Sequence, residues 1–168
     1  LGDVIASAIY SFDPFMPAMP YLDLGAKVKF PTADEDKGLG TGAYDYTLNA
    51  DLYKPLGAFA LLGGVGYTFK GDIEPDGNLS SGLKLDNTVS AYVGAEYRFT
   101  DQWLAGVSGD YREAASPFAE NGKEVSAYLT YRLNRQWSIT GSGGSGFTNA
   151  SPDIFAGLSL SYGFDAPF

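Results

Sequence analysis

The chain has 168 residues, with 20 Asp plus Glu against 11 Lys plus Arg and a formal net charge of −9, a balance that repels phosphate backbones and argues against nucleic acid as a partner. It has no histidine and no cysteine, which removes the commonest general base and metal ligand, any Ser–His or Cys–His nucleophile, and a disulfide framework. Glycine at 22 residues, with 12 tyrosines and 11 phenylalanines, fits a sheet protein with tight turns and not a helical bundle.

Strands are expected at 2–12, 21–30, 43–53, 58–70, 87–99, 103–112, 124–133, 137–147 and 153–164, each alternating apolar and polar residues. The fifth shows the pattern most plainly. Val89, Ala91, Val93, Ala95, Tyr97 and Phe99 share one face, while Thr88, Ser90, Tyr92, Gly94, Glu96 and Arg98 share the other, because successive side chains of a strand point to opposite sides. The second and third carry Asp23, Gly25, Lys27 and Lys29, then Asp45, Thr47, Asn49 and Asp51, on their polar faces. The eighth departs from the pattern. Its GSGGSG run at 141–146 leaves little apolar band, reading either as a strand that faces a partner or neighbour or as a linker-like stretch.

The connections alternate in length. Short ones are expected at 54–57, 100–102 and 134–136, and long or polar ones at 31–42, 71–86, 113–123 and 148–152. Outer-membrane barrels join their strands by short periplasmic turns and longer extracellular loops. The connection 13–20, long and with three prolines, fits this scheme least well.

Alternation alone does not distinguish a membrane barrel from a lipocalin-like one. Three features favour the membrane. Opposite charges and small residues share the polar face, as suits a wet lumen. Trp103, Trp137, Tyr97, Phe99, Tyr131 and Tyr162 fall near the short turns, and Tyr46, Tyr67, Phe69, Tyr111 and Phe147 near the loops, as two interfacial girdles would. The last strand puts Ala156, Leu158, Leu160, Tyr162 and Phe164 on one face ahead of a C-terminal Phe168, like the terminal signal of outer-membrane barrels. No run of 18 apolar residues predicts a transmembrane helix. No signal peptide opens the sequence, so the expectation is that one has been removed.

The fold class expected is therefore all-β, an antiparallel up-and-down transmembrane β-barrel forming one domain over residues 1–168. Nine strands are an odd number, whereas single-chain bacterial barrels normally have an even one. Either an odd number of strands, most simply three, precedes Leu1, or the first ribbon pairs without spanning.

The string LDLGAKVKFPTADEDKGLGTGAYDYTLNADLYK, with SGDYREAAS, VSAYLTYRLNRQWSITG and SPDIFAGLSLSYGF, resembles the meta-pathway phenol-degradation family of outer-membrane transporter-like proteins. The resemblance covers most of the chain and is weakest at GSGGSG. It implies a barrel of about twelve strands, further N-terminal strands, and uptake of aromatic or other apolar small molecules. It brings no catalytic residues.

The candidate lumen-lining residues are Lys27, Lys29, Asp45, Asp51, Tyr92, Glu96, Arg98, Asp110, Arg112, Tyr128 and Arg132, with Glu124 beside them. Lys27 and Lys29 precede Asp45 and Asp51 on the next strand, and Glu96 and Arg98 precede Asp110 and Arg112. Such charges either tune a pore or hold strands in register. Glu96 with Asp110 is a weaker candidate for acid–base chemistry, because nothing orients a nucleophile. Inward tyrosines are expected at Tyr44, Tyr53, Tyr92 and Tyr128, as stacking steps for a solute or as a plug. Asp34, Glu35 and Asp36 in one loop, and Asp72 to Leu83 with its faint EF-hand spacing, read chiefly as solvated acidic loops.

These readings combine into a non-enzymatic outer-membrane channel for passive passage of small, apolar or aromatic molecules, with no cofactor and no metal. Its partners would be outer-membrane lipid and a small-molecule solute, with room for an oligomer or partner protein. The alternative is a structural barrel serving as anchor, scaffold or oligomer subunit.

Overall fold

The computed structural model describes residues 2–16, 18–34, 41–71 and 85–164. They form one sheet of nine strands in sequential order, every neighbouring pair antiparallel, with no helix among the described residues. The strands are β1 (Val4–Phe12), β2 (Tyr21–Phe30), β3 (Asp45–Leu56), β4 (Phe59–Phe69), β5 (Thr88–Arg98), β6 (Trp103–Arg112), β7 (Gly122–Arg132), β8 (Trp137–Gly146) and β9 (Phe155–Tyr162). All nine expected strands are present. β1 pairs along its whole length, from Val4 opposite Phe30 to Phe12 opposite Leu22. β8 is equally regular despite GSGGSG. The sheet is open: among the described residues β1 pairs only with β2, and β9 only with β8.

The boundaries agree with expectation to within two residues except at the end of β3. β3 continues past Tyr53 through Pro55, which lies opposite Ala60, to Leu56 opposite Phe59. The short turn is then only Gly57–Ala58, and Gly57 takes φ 71°, a backbone glycine adopts without Cβ strain. The other two short turns share one device. Thr100 Oγ1 accepts from the N–H groups of Gln102 and Trp103 at 3.2 and 3.1 Å. Asn134 Oδ1 accepts from those of Gln136 and Trp137 at 2.8 and 3.0 Å. A short polar side chain that bonds the backbone just beyond it closes a turn locally.

The two faces of the sheet differ sharply. One is apolar and uncovered, with Leu48 57%, Val65 59%, Val93 69%, Val107 54% and Leu158 82% exposed. Aromatic rings bound it at both ends. Near the short turns, Phe59 meets Tyr97 at 4.5 Å, Trp103 meets Tyr131 at 4.6 Å and Trp137 meets Tyr162 at 4.7 Å. Near the loops, Tyr67 meets Phe69 at 4.9 Å and Phe30 meets Tyr44 at 5.8 Å. Tyr44 thus joins the outer face and not the inner one. Strict alternation requires this, since its neighbour Asp45 points inward.

The buried side chains are few; among the described apolar residues only Ala43 and Ala60 fall below one-tenth exposure. A nine-stranded sheet with so small a core does not resemble a sandwich packed on itself. Its order is held by the ladders and by side chains lying across the polar face.

Candidate functional site

The polar face is concave. Residues from six consecutive strands, β2 to β7, line a single cavity of about 330 Å³, among them Lys27, Thr47, Asn49, Asp51, Tyr92, Asp110, Arg112 and Glu124. A flat sheet could not bring β2 and β7 round one volume.

At the loop end an ion-pair network ties four strands together. Lys29 Nζ lies 3.0 Å from Asp45 and 3.4 Å from Asp3, and Lys70 Nζ lies 3.1 Å from Asp45. Asp45 is 6% exposed and also accepts from the Gly71 N–H at 3.2 Å. Lys29 donates to Thr41 at 2.8 Å. The Ala33 N–H donates to Asp3 at 3.0 Å and, with help from Lys29, holds the Asp3 carboxyl below its ordinary value. The Lys29–Asp45 pairing was legible in the sequence. Asp3 and Lys70 were missed, although both share the inward parity of β1 and β4.

Below this network two tyrosines lie flat on the wall. Tyr92 on β5 faces Gly64 on β4, which faces Asp51 on β3. The Tyr92 hydroxyl crosses the glycine and donates to Asp51 at 2.9 Å. Tyr128 on β7 faces Gly106 on β6, which faces Glu96 on β5, and the Tyr128 hydroxyl donates to Glu96. A Cβ at Gly64 or Gly106 would run into the tyrosine ring. The same arrangement recurs where Asn49 covers Gly25 and Phe155 covers Gly144, each a directly opposed pair. In all four an odd-numbered strand lays its side chain over a glycine of the strand before. Of these rings, that of Tyr92 lines the cavity from its wall. Asn49 Nδ2 also donates to Asp51.

Several expected pairings are absent. Lys27 faces Thr47, and Asp51 faces Asp23, so the only lysine–aspartate bridge from that group is Lys29–Asp45. Glu96 faces Gly106 while Asp110 faces Tyr92, which separates them as a carboxylate pair. Arg112 reaches Glu124 on the following strand, at 3.8 Å, and no residue of β5. Arg98 and Arg132 stand exposed at the turn end without ion pairs among the described residues. Tyr53 shares the inward face with Tyr21, their rings 6.3 Å apart. Cross-strand hydroxyl pairs, Thr47 with Thr68, Ser108 with Ser126 and Thr130 with Thr140, fill the rest at 2.8–2.9 Å.

No group of three or more acidic side chains with metal-binding geometry occurs among the described residues. The EF-hand-like stretch 72–83, and Glu35 and Asp36, lie outside them.

The family model described as "Putative MetA-pathway of phenol degradation" matches residues 1–164 of the chain. No curated protein matches it.

Proposed function

Because the chain belongs to the family linked to phenol degradation, we propose that its sheet is the wall of an outer-membrane β-barrel through which small apolar or aromatic molecules pass by diffusion. The observation that carries this reading is the apolar face. An uncovered apolar surface this broad is not tolerated in water, where contiguous patches rarely exceed a few hundred Å². Its two aromatic belts are eight to ten residues apart on β4, from Phe59 to Tyr67 and Phe69. That separation spans about 21–26 Å for strands rising ~3.4 Å per residue at ~40° tilt. A bacterial outer-membrane barrel presents an apolar band of about that height.

Strand direction constrains how the wall closes. β1 and β9 are both odd in an all-antiparallel order, so they run the same way. An antiparallel closure takes an odd number of further strands between their edges. Copies of this chain inserted in one orientation would meet β9 to β1 in parallel, so self-association closes the wall only through a parallel seam.

The solute path runs over charges and flat tyrosine rings, and nothing on it calls for energy coupling. Liposome swelling with neutral solutes, phenol-sized aromatics and small sugars, tests the reading with the full chain reconstituted. Solute entry at a rate proportional to protein content is expected. Impermeable proteoliposomes that hold correctly folded protein would leave the barrel as an anchor or scaffold.

A further inference from the structure

One row of the concave face, read straight across the strands, holds four carboxylates and no base. It runs Asp23, Asp51, Gly64, Tyr92, Asp110, Glu124 over β2 to β7, each residue directly opposite the next. Two carboxylate pairs, Asp23 with Asp51 and Asp110 with Glu124, therefore face each other across neighbouring strands. Like charges directly opposite are destabilising. The register that imposes them is set across long loops by the packing of the outer apolar face, and the row contains no base to relieve them.

Nearby bases are largely committed elsewhere. Lys29 and Lys70 are held by Asp45. Arg112 touches Glu124 only loosely, at 3.8 Å, with its side chain 63% exposed. Lys27 makes no ion pair among the described residues and is the one free cation lining the cavity. Asp23 and Asp110 have no cationic partner among the described residues; Asp110 accepts only from Ser108, at 2.9 Å. The next row toward the turns, Tyr53, Leu62, Gly94, Ser108, Ser126, has no base at all.

We infer that this row makes the passage cation-selective, with Asp23, Asp51 and Asp110 setting the preference. The inference rests on the reading of this face as a pore wall and adds the charge class that the pore favours. Fixed carboxylates along a narrow wet path raise the local concentration of cations and exclude anions. A solute bearing an ammonium group is thus favoured over its carboxylate analogue of equal size.

The test is the reversal potential of the full chain in planar bilayers under a tenfold KCl gradient. Wild type is expected to pass potassium over chloride by about threefold or more, as one uncompensated charge several ångströms from the path gives in water. Asp23→Asn with Asp110→Asn leaves the Tyr92–Asp51 clamp intact and should bring the ratio close to unity. Lys27→Gln should move it the other way. Asp23→Asn alone removes no described hydrogen bond and serves where the double variant folds poorly. Conductance without cation preference, or a preference unchanged in the aspartate variants, overturns the inference while the pore reading stands on neutral-solute swelling. Neither conductance nor swelling overturns both.

Discussion

Asp45 is the joint on which the loop end of the sheet depends. Replacing it by asparagine keeps its shape and its ability to accept from the Gly71 N–H, but removes the charge shared by Lys29 and Lys70. Hydrogen bonds to a charged group contribute about 1.5–3 kcal/mol each. The two lysines are 18% and 24% exposed, and Lys29 retains Asp3 at 3.4 Å. Both facts place the loss near the low end for the two bonds together, about 3 kcal/mol for Asp45→Asn. Urea unfolding in lipid vesicles, followed by the fluorescence of Trp103 and Trp137, measures it. A double-mutant cycle with Lys70→Met should return a coupling of about 1 kcal/mol. An Asp45→Asn midpoint equal to wild type, or a coupling of zero, would show that water already satisfies these lysines and that the network holds no strands together.

Further outcomes follow from the same geometry. Gly106→Ala forces the Tyr128 ring off the wall and should destabilise by about 1–3 kcal/mol, whereas Gly109→Ala and Gly141→Ala, with nothing within 4 Å of the new methyl, should be neutral or slightly stabilising; the same urea series reads both. Trp103 and Trp137 stand in one belt, so lipids brominated high on the acyl chain should quench both more strongly than lipids brominated near the chain end, and deep quenching of either would refute the belt. The Asp3 carboxyl is lowered from 3.8 by the Ala33 N–H, so the stability it contributes is present above that value and lost as pH falls through its lower folded value. The protection of the Ala33 amide, taken relative to its intrinsic exchange rate at each pH, should accordingly persist at pH 5 and fall only below about pH 3.8; a fall already at pH 5 would refute the sign.

How much of this was legible in the sequence depends on which register each feature needs. A period of two is preserved along every strand, so the nine strands, the two faces and the two aromatic belts could be read without knowing any partner. Even Tyr44 was decidable, since Asp45 beside it is inward. Pro55 misled because proline is expected to end a strand, yet one pair from the two-residue turn and beyond the end of β2 it costs the ladder little. Cross-strand partners are a different matter. Across the short turn at 99–103 the opposition is set locally, and the closing bond from Phe99 N to Trp103 O at 3.0 Å already places Glu96 against Gly106 and not against Asp110. Across the long loops no local signal fixes the offset. Asp51–Gly64–Tyr92 needs the β4–β5 register, and Glu96–Gly106–Tyr128 needs that of β6–β7. The acidic row needs both, together with β2–β3. The mixture of both signs on the polar face therefore concealed an arrangement in which four carboxylates share one line, while Lys29 and Lys70 are held at Asp45. The selectivity of the wall lies in that offset, which long loops leave to the packing of the outer face.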